Sequence, residues 1–197
     1  MSRVRDQTVY DARRRDIIAA AAAAFREVGY ATATLDMVAE RLGVTKAAVY
    51  YYYHKKEDLL LAICEQAVEA GVGTLREHDP EESVSQQFER FLDAHIREIL
   101  GNFTVWSVYF HETGIRKGAQ AKKIVARQHE IEDRLEALIR HGVEIGEFRQ
   151  VDPHLVIVGV FGMTNSLYRW YKPLNISAEE LVRGFTDLIL SGILPKS

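Results

Sequence analysis

The sequence predicts an all-α chain of about nine helices, a small N-terminal three-helix unit followed by a larger helical one. Three observations carry this. Residues 34–59 read as two short helices around a tight turn; apolar residues recur at helical spacing elsewhere, most clearly over 118–145; and 154–171 is apolar almost all round. The division is expected at residue 56, giving units of 1–56 and 57–197.

The elements follow in order. Met1 to Tyr10 is polar and expected to fray, with Arg3 and Arg5 available to a nucleic-acid backbone or to solvent alone. From Asp11 to Val28, Ile17, Ala21, Ala24, Phe25 and Val28 share one helical face, and Gly29 ends the helix. Arg13, Arg14 and Arg15 near its start fit a solvated face or a phosphate contact equally. Thr34 and Thr45 each stand where a hydroxyl caps the first free amides of a helix. Between them Gly43 supplies a turn, Ala39 a small contact and Val49 an apolar plug, the pattern of a helix-turn-helix whose second helix is Thr45 to Tyr53. That helix carries Lys46 and four consecutive tyrosines, Tyr50 to Tyr53, and suits a DNA groove.

Lys55 and Lys56 open a fourth helix with Leu59, Leu60, Ile63, Ala67 and Ala70 on one stripe, before Gly71 and Gly73. Lysine opposes the helix dipole at an N-terminus, so the pair suggests a bound phosphate. A turn at His78, Asp79 and Pro80 leads into a helix over 81–100 with Val84, Phe88, Phe91, Leu92, His95 and Ile96 inward. Phe103 to His111 is rich in aromatic residues. A long helix from about Gly118 to Ile145 turns Ile124, Ile131, Leu135, Leu138 and Ile139 inward. Asp152 and Pro153 start a helix running to Tyr171 and broken by Pro173; Ser177 caps the last one, with Leu181, Val182, Phe185, Leu188, Ile189 and Ile193 apolar. Two such helices, 153–171 and 177–193, read as a homodimer interface, with Gly159, Gly162 and Ser166 permitting close approach. An internal core helix is the rival reading.

Composition narrows the function. Residues 1–56 hold ten Lys and Arg against six Asp and Glu, a balance of +4, whereas the remainder carries fifteen against twenty-two. A basic unit collects phosphates while the acidic remainder keeps non-specific binding weak. The single cysteine, Cys64, leaves no intramolecular disulfide and no multi-cysteine zinc site, and reads as a core residue. No apolar run approaches the roughly 18 residues of a membrane helix, and the alanine run 19–24 lacks a signal peptide's pattern, so the chain is expected in the cytoplasm, away from the membrane. His111 with Glu112, and His129 with Asp133, lack third and fourth metal ligands. No serine elbow or glycine-rich phosphate loop is present. An enzyme, a metal protein and a cofactor are therefore not expected.

Residues 17–59 resemble the DNA-binding domain of the TetR family of bacterial transcriptional regulators. Phe25, Gly29 and Tyr30 match its aromatic-x-x-x-Gly-Tyr, and Thr34, Val38 and Ala39 its Thr-x-x-x-Ile-Ala. Gly43 to Tyr50 match Gly-Val-Ser-Lys-Gly-Thr-Leu-Tyr, and Lys56, Glu57 and Leu59 its closing Lys-Glu-x-Leu. Ala47 replaces the usual glycine, where a change of base preference would arise, Tyr53 a common phenylalanine, and Lys55 a small polar residue. The segment Arg169 to Pro173 resembles one in members that respond to acyl-CoA thioesters and govern fatty-acid or sterol catabolism.

The resemblance implies a homodimeric repressor on a palindromic double-stranded DNA operator, released by a small apolar or acyl-CoA-type effector. Efflux control by a lipophilic drug is the alternative, and a regulator without an effector is a third. Thr45 and Lys46 are expected at base edges beside Ala47, and Thr34, Tyr50, Tyr51 and Lys56 at phosphates. Tyr53 is expected in the core. Phe88, Phe91, Phe103, Trp106 and Phe110 are expected to line an effector cavity or to form a plain aromatic core. Asn165 and Arg169 would meet the ligand's polar part, or Arg169 an ion pair at the dimer edge.

Overall fold

The computed structural model describes residues 2–75, 81–112 and 118–194, without the side chains of 2–6 and 172–174. The described residues form ten helices: α1 (Ser2–Val28), α2 (Leu35–Leu42), α3 (Lys46–Tyr52), α4 (Lys56–Gly73), α5 (Val84–Gly101), α6 (Phe103–His111), α7 (Gly118–Glu144), α8 (Pro153–Thr164), α9 (Leu167–Leu174) and α10 (Ala178–Ile193). The expected turn at His78, Asp79 and Pro80 lies outside them, as do the side chains of Arg3, Arg5, Lys172 and Pro173. Two compact units result, one of residues 1–67 with 104–124 and one of 68–103 with 125–197. The units part within α4 at residue 67, whereas residue 56 only begins that helix.

In the first unit α1 starts well before the expected Asp11. No glycine or proline interrupts the polar N-terminal turns, Gln7 donates to Asp11 one turn on (3.1 Å), and Tyr10 rests on Tyr52 with centroids 4.9 Å apart. Ile17, Ala21, Ala24 and Phe25 are buried, and Gly29 ends the helix at φ +79°. A side chain at Gly43 would be strained, because the turn needs φ +64° there to bring its amide to the carbonyls of Ala39 and Glu40. Val38, Ala39 and Val49 seal the contact of α2 with α3, and Leu59, Leu60, Ile63 and Cys64 bury the adjoining face of α4.

The second unit packs Phe88, Leu92, Ile131, Leu135, Ile139, Phe148, Ile157, Val160, Ile189 and Ile193 into one core. α5 begins with a capping box in which Ser83 and Gln86 satisfy each other's amides, and its predicted inward stripe is buried throughout. His95 lies between Phe91 and Phe161, with centroids 5.2 and 5.5 Å away. Burial lowers its pKa to about 4, so it is neutral. A second capping box, Ser177 with Glu180, starts α10. The Arg149 amide and Nε close its end by donating to Ile193 (2.9 Å) and Gly192 (2.7 Å) carbonyls.

The single helix expected from Pro153 to Tyr171 is two. The Thr164 and Ser166 hydroxyls donate back to the carbonyls of Val160 (3.0 Å) and Met163 (2.8 Å), and such bonds compete with a continuing helical ladder. α8 stops there and α9 resumes. The stop expected at Pro173 falls instead at Asn175, which takes φ +49°.

Glu147 fixes the start of α5 from the far side of the unit. Its carboxylate accepts from the amides of Val84 (2.9 Å) and Ser85 (2.8 Å) and from the Ser85 hydroxyl (2.5 Å). Partial burial acts to raise its pKa, but the bonds from Ser85 and Val84 outweigh this and hold it below the ordinary carboxylate value. The charged form therefore stabilises the fold above the unfolded-state pKa of about 4.3, and that contribution disappears as pH falls through the lower folded value. Glu147→Gln is expected to lose about 1 kcal/mol at pH 7, the usual worth of a helix cap. Urea titrations checking this should show the difference from the native chain closing at strongly acidic pH.

Candidate nucleic-acid interface

The helix-turn-helix is built from local caps. The Thr34 hydroxyl accepts from the Met37 amide (3.2 Å) and the Thr45 hydroxyl from the Ala48 amide (3.3 Å), so both threonines spend a lone pair on their own helix and remain exposed. Lys46 and Ala47 are exposed beside Thr45, Tyr50 is half-buried, and Tyr51 is the most exposed aromatic at 72%. These residues occupy the start and outer side of α3, with Thr34 at the start of α2.

Lys46 is not a free charge. Its ammonium donates to Asp36 (2.8 Å) and stands 5.3 Å from the Tyr50 ring centre. The hydrogen bond to Asp36 raises the lysine pKa, so it is fully charged near neutrality. Asp36 was not singled out in the sequence. It is second in α2 while Lys46 is first in α3, and only the crossing of the two helices brings them together.

The tyrosines divide by position. Tyr53 is buried as expected, and its phenol oxygen accepts from Arg14 Nε (2.9 Å), with burial holding the phenol above its usual pKa. Arg14 reaches Glu65 as well, at 3.9 Å. It is thus drawn out of the Arg13–Arg15 row onto α3 and α4, while Arg13 and Arg15 stay exposed. Tyr52 packs between Tyr10 and Tyr51 (4.9 and 5.1 Å).

Lys56 departs from expectation. Its ammonium turns onto the α1–α2 connection and donates to the carbonyls of Tyr30 (2.9 Å), Ala31 (2.7 Å) and Ala33 (3.3 Å), 4.8 Å from the Tyr30 ring centre. An ammonium has three donors and all three are taken. The corrected reading is a clamp rather than a phosphate contact. The first turn of α4 instead contains Glu57 and Asp58, suited to the helix dipole, and Asp58 accepts from the Lys55 amide (3.2 Å).

The residues expected around an effector fall in both units. Phe88 and Phe91 stack at 6.4 Å in the second unit's core, and Trp106 and Phe110 at 5.3 Å in the first. Phe103, half-buried, opens α6. Asn165 closes α8, its amide donating to Phe161 (2.8 Å). Arg169 is exposed and donates to the neighbouring Tyr168 phenol (2.8 Å). It forms no ion pair with a carboxylate among the described residues.

The clamp has a direct consequence. Lys56→Met should lower unfolding stability by about 2 kcal/mol, because charge-assisted bonds are lost and carbonyls are left unmatched. The salt dependence of DNA binding by the folded variant should keep its slope; a slope shallower by about one would restore Lys56 to the phosphates.

Comparison with known proteins places this geometry. Residues 17–63 match the model for bacterial regulatory proteins of the tetR family, and 81–193 match that for the tetracyclin repressor-like C-terminal domain. The TetR family regulator PfmR from Thermus thermophilus is 33% identical, with 89% of this chain and 97% of that one covered at a TM-score of 0.78. AibR in complex with isovaleryl coenzyme A and operator DNA shares the fold at TM-score 0.78 and 23% identity, with 89% of this chain and 97% of that one covered. The uncharacterized HTH-type transcriptional regulator YfiR of Bacillus subtilis is 24% identical over 77% of this chain and 75% of its own. The N-terminal helix-turn-helix, the C-terminal helices and the likeness to PfmR together show that the chain belongs to the TetR family of DNA-binding transcriptional regulators and is not an enzyme.

Proposed function

We propose that the chain is a homodimeric repressor that binds a palindromic operator in the cytoplasm and leaves it when a small apolar or acyl-CoA-type effector binds. The carrying observation is the capped α2–α3 pair with Lys46, Ala47 and Tyr51 exposed at its front. In this reading Thr45 and Lys46 face base edges, Lys46 donating to guanine O6 and N7, with Ala47 beside them. Thr34, Tyr50 and Tyr51 meet phosphates, which set position rather than sequence. Asp36 keeps one donor of Lys46 and leaves two for the base. Residues 1–56 act as the DNA-binding domain and 57–197 as the effector-binding and dimerisation domain.

Dimerisation is supported by apolar side chains the single chain leaves in solvent. Leu155 and Val158 on α8 are 66% and 53% exposed and Leu188 on α10 is 62% exposed, accompanied by exposed Gly159, Gly162, Gly184 and Gly192. Pairing α8–α9 and α10 with their copies would cover these residues, and the glycines permit close approach. An acyl-CoA-type effector is supported by the likeness to AibR, whose structure holds isovaleryl coenzyme A. Phe88, Phe91, Phe103, Asn165 and Arg169, all in the second unit, are the residues proposed to receive it, without Trp106 and Phe110.

Oligonucleotide selection with the full chain should return a palindrome with half-sites about one helical turn, roughly 34–36 Å, apart. No palindrome would contradict the dimeric reading. Val158→Glu with Leu188→Glu should give a folded monomer by sedimentation and weaken operator binding at least a hundredfold. Asp36→Asn should free Lys46 for phosphates: non-specific affinity rises, the salt slope steepens by about one, and the operator's advantage over random DNA falls about tenfold. An unchanged ratio of specific to non-specific binding would remove Asp36 from recognition.

A further inference from the structure

A hollow of about 370 Å³ lies within the second unit, between the end of α4, α5 and α7. Its buried lining is Thr74, Gln87, Phe91 and Leu135, with Leu75 and Leu138 half-buried beside them. Arg134 and His141, two turns apart on α7, are exposed at its edge, and Arg90 lines it from α5. Among the described residues no carboxylate lines it. Arg90 is ion-paired to Glu82 (2.6 Å), but its buried Nε has no hydrogen-bond partner among the described residues. The side chains of Arg134 and His141 make no hydrogen bond or ion pair among those residues either, whereas Arg97, Arg127 and Arg140 are all paired to carboxylates.

We propose that this hollow binds a medium-chain carboxylate, its hydrocarbon against Phe91, Leu135 and Leu138 and its carboxylate at the Arg134–His141 edge beside Arg90. The chemistry is complementary on both counts. Apolar walls take the chain, and guanidinium groups pair with a carboxylate in bidentate fashion. At about 30 Å³ for each water-sized volume the hollow holds roughly a dozen heavy atoms, a chain of about eight to ten carbons. A coenzyme A thioester is several times larger, and its thioester carbonyl brings no charge to the arginines. Phe91 alone is shared with the effector residues proposed above. The site names an effector class for that regulator; its consequence for DNA rests on that reading, while binding itself does not.

Calorimetric titration of the full chain with octanoate, octanamide, octylamine and octanoyl-CoA tests the proposal. Octanoate should bind at least tenfold more tightly than octanamide, and octylamine should give no saturable heat. Arg134→Gln with His141→Gln should weaken octanoate at least tenfold while leaving the octanamide signal and the helical circular dichroism unchanged. Leu138→Trp, which fills the hollow, should abolish both. Equal binding of acid and amide, unchanged octanoate affinity in the double variant, or saturable binding of octanoyl-CoA alone would each overturn the site. Octanoate that binds as described without altering operator affinity would overturn the effector role and leave the site standing.

Discussion

The bonding of the Lys56 ammonium to three carbonyls around the α1–α2 connection is the constraint on which the DNA-binding half depends. Tyr30, Ala31 and Ala33 belong to a turn whose own helical ladder has ended, so their oxygens need an outside donor. A lysine at the first position of α4 supplies it and fixes that helix against the corner from which α2 departs. Arg14 completes the arrangement by joining α1 to Tyr53, the residue that closes α3. α2 and α3 are short, and short helices are marginal alone; they hold their geometry because both ends of the pair are tied to longer ones.

α4 belongs to both units. It runs unbroken from its clamped start through residue 67, where the two compact units part. Asp36 and Lys46 form an exposed ion pair (2.8 Å) that joins the starts of α2 and α3.

Much of this was legible because it is local. Thr34, Gly43 and Thr45 act on amides and carbonyls within four residues of themselves, so α2, the turn and α3 could be bounded from the chain alone. The stripes of α5, α7 and α10 were legible for the same reason. Lys56 was misread because its acceptors lie 23 to 26 residues earlier, and a dipole argument sees only the helix it opens. Asp36 was missed because its partner depends on how two helices cross. The break between α8 and α9 turns on hydroxyls bonding back to carbonyls, which helical periodicity does not register. The aromatic residues grouped as one cavity share a composition, yet α6 carries Trp106 and Phe110 into one unit while Phe88 and Phe91 lie in the other.

Methylation interference on the selected operator tests the central claim, that paired α3 helices read guanines in the major groove. Methylating guanine N7 occupies the acceptor assigned to Lys46 without touching the minor groove. Interference at guanines in two symmetric clusters about one helical turn apart, lost from both when Lys46 is replaced by alanine, is the predicted result. Interference confined to adenine N3 in the minor groove, or a guanine pattern unchanged in the Lys46 variant, would contradict it.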